Sequence, residues 1–115
     1  MNKGNDVVRL QHMLDAAHKI EQFMQGRNKE YVANDELLLL AILRLLEIIG
    51  EAAKSLETKT RDAYPNIPWK QITGTRDRLI HGYFDVDFNV VWSIISQDIP
   101  QLIPELNILI QELQS

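Results

Sequence analysis

The run Arg76-Asp77-Arg78-Leu79-Ile80-His81-Gly82-Tyr83 holds the residue types best suited to chemistry on a phosphodiester. A guanidinium binds phosphate through paired N–H donors and stabilises charge developing on it, while an imidazole moves protons near neutral pH. RNA brings its own nucleophile, the 2′-hydroxyl, so Arg76 and His81 acting together would suffice to cut it without a metal. Their spacing sets a condition. Five residues on an ideal helix, at roughly 100° each, place the two side chains about 140° apart, so a straight helix cannot aim both at one atom. If Gly82 ends the helix, His81 falls in the last turn, where the helix dipole favours the imidazolium. A twofold axis beside this helix would bring two Arg–His sets into one composite cleft.

The charge map points to the same segment. From Lys59 to Arg78 there are five basic residues (Lys59, Arg61, Lys70, Arg76, Arg78) and two acidic ones (Asp62, Asp77). That makes +3 within a chain whose total is −4, leaving −7 elsewhere. A basic island on an acidic chain is a candidate anion site, and a solvated helix face is the plain alternative. Other chemistries fall away. The absence of cysteine removes disulfides, thiolate–zinc sites, iron–sulfur clusters and cysteine nucleophiles. No glycine-rich nucleotide loop, phosphate-loop lysine or nucleophile elbow is present. His12 and His18 are six apart on one helix with no third ligand in register, and read as surface residues rather than a metal pair. No metal and no cofactor is expected.

Positioning such a site falls to helices. The 115 residues, 45% hydrophobic and 24% charged, fit a single domain over 1–115. Val7, Leu10, Leu14, Ala17, Ile20 and Met24 predict a first helix over 6–25, with Asn5 as N-cap and Gly26 as stop. A second is expected from about Asn34, as its cap, to Glu57. Its apolar face is too wide for one bundle to cover, which suggests a second subunit. The run from Leu37 to Leu43 is broken by Arg44 and Glu47 and falls short of the roughly 20 residues that a membrane span needs. Residues 58–68 form a break containing Pro65 and Pro68. A third helix is predicted over 69–81 with Pro68 at its start, and a fourth from Asp87, kinked near Asp98 by Pro100 and Pro104. Phe84, Val86, Phe88 and Val90 alternate as a strand would, but without a visible partner segment they read better as a loop onto the core. The fold expected is all-α, an antiparallel bundle of four to five helices. The opening residues, Met-Asn-Lys-Gly-Asn-Asp, lead into no apolar segment, so no secretory signal and a cytoplasmic location are expected.

The segment from Arg76 to Tyr83 also matches the Arg-x4-6-His motif of the HEPN superfamily and the longer Arg-x4-His-x-Tyr form of HepT-like toxins. Ile49-Gly50-Glu51-Ala52, Pro65-Asn66-Ile67-Pro68-Trp69, Val91-Trp92 and Asp98-Ile99-Pro100 agree with that context, and from Leu37 onward most of the chain resembles the family. The resemblance implies a homodimeric helical bundle with its active site at the interface. It implies a metal-independent RNA endonuclease, the toxin of a toxin–antitoxin pair. Arg76 and His81 would be catalytic, with Asp77 supporting them and Arg78 binding RNA phosphate. The implied partner is a minimal nucleotidyltransferase antitoxin, of the MNT type, which silences the toxin by attaching AMP to the motif tyrosine, here Tyr83, and can assemble with it. Some superfamily members keep the fold and only bind, so a helical RNA-binding or partner-docking module is the alternative.

Overall fold

The computed structural model describes residues 3–81 and 85–115; the side chains of Lys3, Arg76, Ile80, His81 and Asp85 lie outside the description. Three long helices make the frame: α1 (Lys3–Met24), α3 (Glu36–Lys54) and α8 (Ile99–Gln114). Shorter helices join them: α2 (Lys29–Asn34), α4 (Thr58–Ala63), α5 (Trp69–Thr73), α6 (Thr75–Leu79) and α7 (Phe88–Ser93). A single π-helical turn, Ile94–Asp98, connects α7 to α8. The class is all-α, as expected, apart from a two-rung ladder between β1 (Ile80–His81) and β2 (Asp85–Val86).

The apolar stripe of α1 meets those of α3 and α8. Leu10, Met13, Ile20, Ile42, Leu106 and Leu109 are wholly buried where these helices face one another. Asp6 shows that α1 and α3 run antiparallel, since its carboxylate at the start of α1 reaches the chain just past the end of α3. It is fully buried, accepts the Thr60 hydroxyl at 2.5 Å and the Glu57 amide at 3.3 Å, and meets Arg9 Nη1 at 3.4 Å. Glu57, the N-cap of α4, makes no side-chain cap bond of its own. A residue 51 positions away takes the N-cap amide instead. Asp6→Ala leaves that amide and the Thr60 hydroxyl without their acceptor, and is expected to lower stability by about 1–3 kcal/mol in urea unfolding. A loss below about 0.5 kcal/mol would mean the bonds are replaced by water.

Several boundaries differ from the sequence reading. α1 begins by Lys3, so Asn5 lies inside it and is not its cap. Asp35, not Asn34, caps α3, accepting the Leu38 amide at 3.0 Å, while Asn34 closes the short α2. The expected break at 58–68 contains the six residues of α4. The stop at Gly26 holds: its φ is +73°, a conformation a side chain would strain. Asp87 caps α7 as expected, accepting the Val90 amide at 3.3 Å.

The expected kink near Asp98 takes the form of the π turn. Pro100 has no N–H for the carbonyl four residues back, and its ring would press on that carbonyl. The backbone widens just before it, and the Ile99 amide bonds to Ile94 O, five residues away.

Candidate functional site

The segment carrying the motif is fixed from both ends. Ahead of it, the Trp69 indole donates to Tyr64 O at 3.0 Å and the Trp69 amide to Ile67 O at 2.8 Å, closing the proline turn. The Tyr64 hydroxyl donates to Glu112 near the end of α8. That hydrogen bond, then partial burial and the carboxylate's charge, raise the tyrosine pKa above its ordinary 10.0. Ile67, Ile72, Thr75 and Leu79 are buried, and the Thr75 hydroxyl lies 2.8 Å from Ile72 O and 3.0 Å from Gln71 O. A Cβ on Gly50 would stand 3.2 Å from Ile72 O, so α3 and α5 approach too closely for a larger residue without a shift.

The single helix expected over 69–81 is two one-turn helices followed by extended chain. α5 ends at Gly74, whose amide bonds back to Lys70 O, and α6 ends at Leu79. There the Asp87 amide donates to Leu79 O at 2.8 Å, and Ile80 pairs with Val86 and His81 with Asp85. The alternating residues therefore do supply a short strand, and its partner is the motif itself. So small a ladder is marginal alone. Here Leu79 is buried, and Val86 and Phe88 pack against the core on either side of Asp87.

This corrects the helix geometry for His81. It is not in the last turn of a helix, and no helix dipole argument applies to it. The 140° separation from Arg76 also lapses, because only Arg76, Asp77 and Arg78 share the turn of α6 while His81 follows in β1. Asp77 is exposed and Arg78 half-buried. The side chains of Arg76 and His81, and all of Tyr83, lie outside the described residues.

Elsewhere in the basic island, Lys59 and Lys70 are exposed and Arg61 is half-buried, spread over α4 and α5. His12 and His18 are exposed on α1, His18 Nδ1 lying 3.8 Å from Glu21 Oε1. Among the described residues no group of three or more His, Asp or Glu could hold a metal ion, and no helix is long and apolar enough to cross a membrane.

Sequence reasoning missed a cavity of about 140 Å³ beside α6. Its floor is apolar, from Ile49, Ile72, Ile94 and Leu102, and Arg78, Asp98, Glu105, Gln71 and Gln101 stand around it. These residues come from five elements, so no local pattern gathers them. The pair of prolines after Asp98 was the one signal near them.

Comparison with known proteins bears on the whole segment. The family model described as "Ribonuclease HepT-like" matches residues 13–109. A Methanocaldococcus jannaschii protein named "Putative RNase" is 33% identical over 109 residues, covering 95% of this chain and 100% of its own. A protein of Caldanaerobacter subterraneus subsp. tengcongensis, also named "Putative RNase", is 37% identical over 103 residues, covering 90% and 92%. A Thermococcus cleftensis protein named "Probable ribonuclease HepT" is 39% identical over 93 residues, covering 81% and 84%. No solved structure matches.

Proposed function

The chain belongs to the HepT-like ribonuclease family, and we propose that it is a metal-independent RNA endonuclease, the toxin of a toxin–antitoxin pair. The observation that carries this reading is the intact Arg76-x4-His81-x-Tyr83 run, set at a helix–strand junction inside the matched region. In the proposed reaction the 2′-hydroxyl loses its proton to an imidazole and attacks the adjacent phosphorus. The O2′–P bond forms as the P–O5′ bond breaks, and the leaving 5′-oxygen takes a proton from an imidazolium. His81 fills these acid and base roles, and a dimer holds two copies of it. Arg76 contacts the scissile phosphate and stabilises its transition state, Asp77 orients one of the pair by a charge-assisted hydrogen bond, and Arg78 holds RNA phosphate. Incubating the purified protein with cellular RNA tests this reading. Discrete fragments are expected, whereas RNA that is bound but left intact would favour the docking-module alternative.

The active form is a homodimer. Leu37 and Leu40, three apart on α3, are 82% and 55% exposed, a surface that a second copy would cover. Sedimentation at micromolar concentration should give a dimer. Leu37→Asp with Leu40→Asp should weaken association at least about tenfold, since each buried leucine contributes roughly 1.5–3 kcal/mol. A wild-type monomer at that concentration would contradict the composite cleft.

A further inference from the structure

We infer that the cavity beside α6 receives one base of the RNA substrate, and that this base is guanine. The inference rests on the ribonuclease reading and adds to it what the enzyme selects.

Size limits the occupant first. At about 140 Å³ the cavity is smaller than the roughly 300–1,000 Å³ that hold drug-sized ligands. It is close to the roughly 150 Å³ that accepts a single aromatic ring. One ring of a planar base fits the floor of Ile49, Ile72, Ile94 and Leu102, so guanine would seat the six-membered ring that carries its donors there and leave the five-membered ring toward the opening.

Chemistry then separates a base from an apolar side chain of a partner. A phenyl ring would desolvate Arg78, Asp98 and Glu105 and return no hydrogen bonds, which is costly. A base carries donors and acceptors on its edge. Two carboxylates disfavour a backbone phosphate in the cavity itself, and they favour a base rich in N–H groups. Guanine offers N1–H and the exocyclic N2 amine, side by side, to a carboxylate, while the Arg78 guanidinium holds the phosphate next to the base. Uracil presents two carbonyl oxygens and one N–H, so it leaves a carboxylate facing an acceptor. Adenine and cytosine each bring one exocyclic amine and lack guanine's adjacent pair of donors.

Position connects the cavity to the motif. Thr75 and Arg78, three residues apart, both line it from α6, the helix that carries Arg76. Asp98 reaches it from the π turn, a feature that recurs at functional sites. A base seated here would register the chain against Arg76, so cleavage would fall at a fixed offset from a guanine.

The test uses an RNA oligomer with a single guanine, the same oligomer with inosine in its place, and the full-length protein. Inosine lacks only the exocyclic amine. Wild type should cleave at one offset from the guanine, and inosine should lower kcat/KM at least about fivefold. Glu105→Gln and Asp98→Asn, near-isosteric changes, should bring that ratio toward one. Independently of cleavage, guanosine monophosphate should shift the amide resonances of Gln71, Thr75 and Gln101, with adenosine and cytidine monophosphates shifting them less. RNA cut at equal rates with guanine or inosine, with no such shifts, overturns the inference and leaves the ribonuclease reading standing. If no RNA is cut, guanosine-specific shifts sustain the cavity assignment and sink the ribonuclease reading; their absence sinks both.

Discussion

His81→Ala is expected to lower the rate of RNA cleavage by about 10²–10⁴, the usual loss when general acid–base help is removed. Affinity for uncut RNA should change much less, because the arginines proposed to hold phosphate remain. Arg76→Ala should show a comparable loss in kcat/KM. Arg76→Lys should restore little, since an ammonium keeps the charge but not the planar pair of donors. Single-turnover assays on a labelled oligomer, with circular dichroism to establish folding, measure all three. Cleavage that survives His81→Ala unchanged would remove the histidine from the mechanism and leave the proposed chemistry without its proton carrier.

Tyr83→Phe is expected to separate activity from control. The three residues 82–84 join His81 to Asp85, which pair with each other across the ladder. Tyr83 therefore follows the proposed catalytic histidine by two positions. The proposed silencing reaction is attack of the tyrosine oxygen on the α-phosphorus of ATP, with pyrophosphate leaving, catalysed by the nucleotidyltransferase antitoxin. The attached AMP brings a negative phosphodiester and a bulky base beside the motif. Its phosphate can pair with Arg76 or Arg78, occupying the place of the RNA backbone. Phenylalanine keeps the ring and removes only the acceptor oxygen. The variant should cut RNA at near the wild-type rate, stay active with antitoxin and ATP, and gain no mass. A Tyr83→Phe protein that is still silenced and gains the mass of AMP at another residue would show that Tyr83 is not the switch.

How much of this was legible depends on how local each cause is. The stripe from Val7 to Met24, the stop at Gly26, the cap at Asp87 and the irregularity before Pro100 are set by neighbours in sequence, and the structure has all four. The failures share a different origin. Leu79 and Ile80 continue a helical pattern, so the period alone extends the helix to His81. The chain instead turns extended because residues 85–87 return to bond with it. The N-terminus of α4 depends on Asp6, more than fifty residues earlier. The resemblance singled out Arg76, Asp77, Arg78, His81 and Tyr83 from their order in the chain. The cavity could not be found that way, because Gln71, Arg78, Asp98 and Glu105 meet only after α5, α6, the π turn and α8 have packed.

The measurement that bears most directly on the central claim is the product of RNA cleavage formed in excess EDTA. Wild-type protein freed of metal should cut at the same rate with or without the chelator. Each upstream fragment should carry a 2′,3′-cyclic phosphate and each downstream fragment a 5′-hydroxyl, both identifiable by mass. Loss of cleavage in EDTA with recovery on adding magnesium, or fragments ending in 5′-phosphate, would contradict a reaction driven by the 2′-hydroxyl, Arg76 and His81.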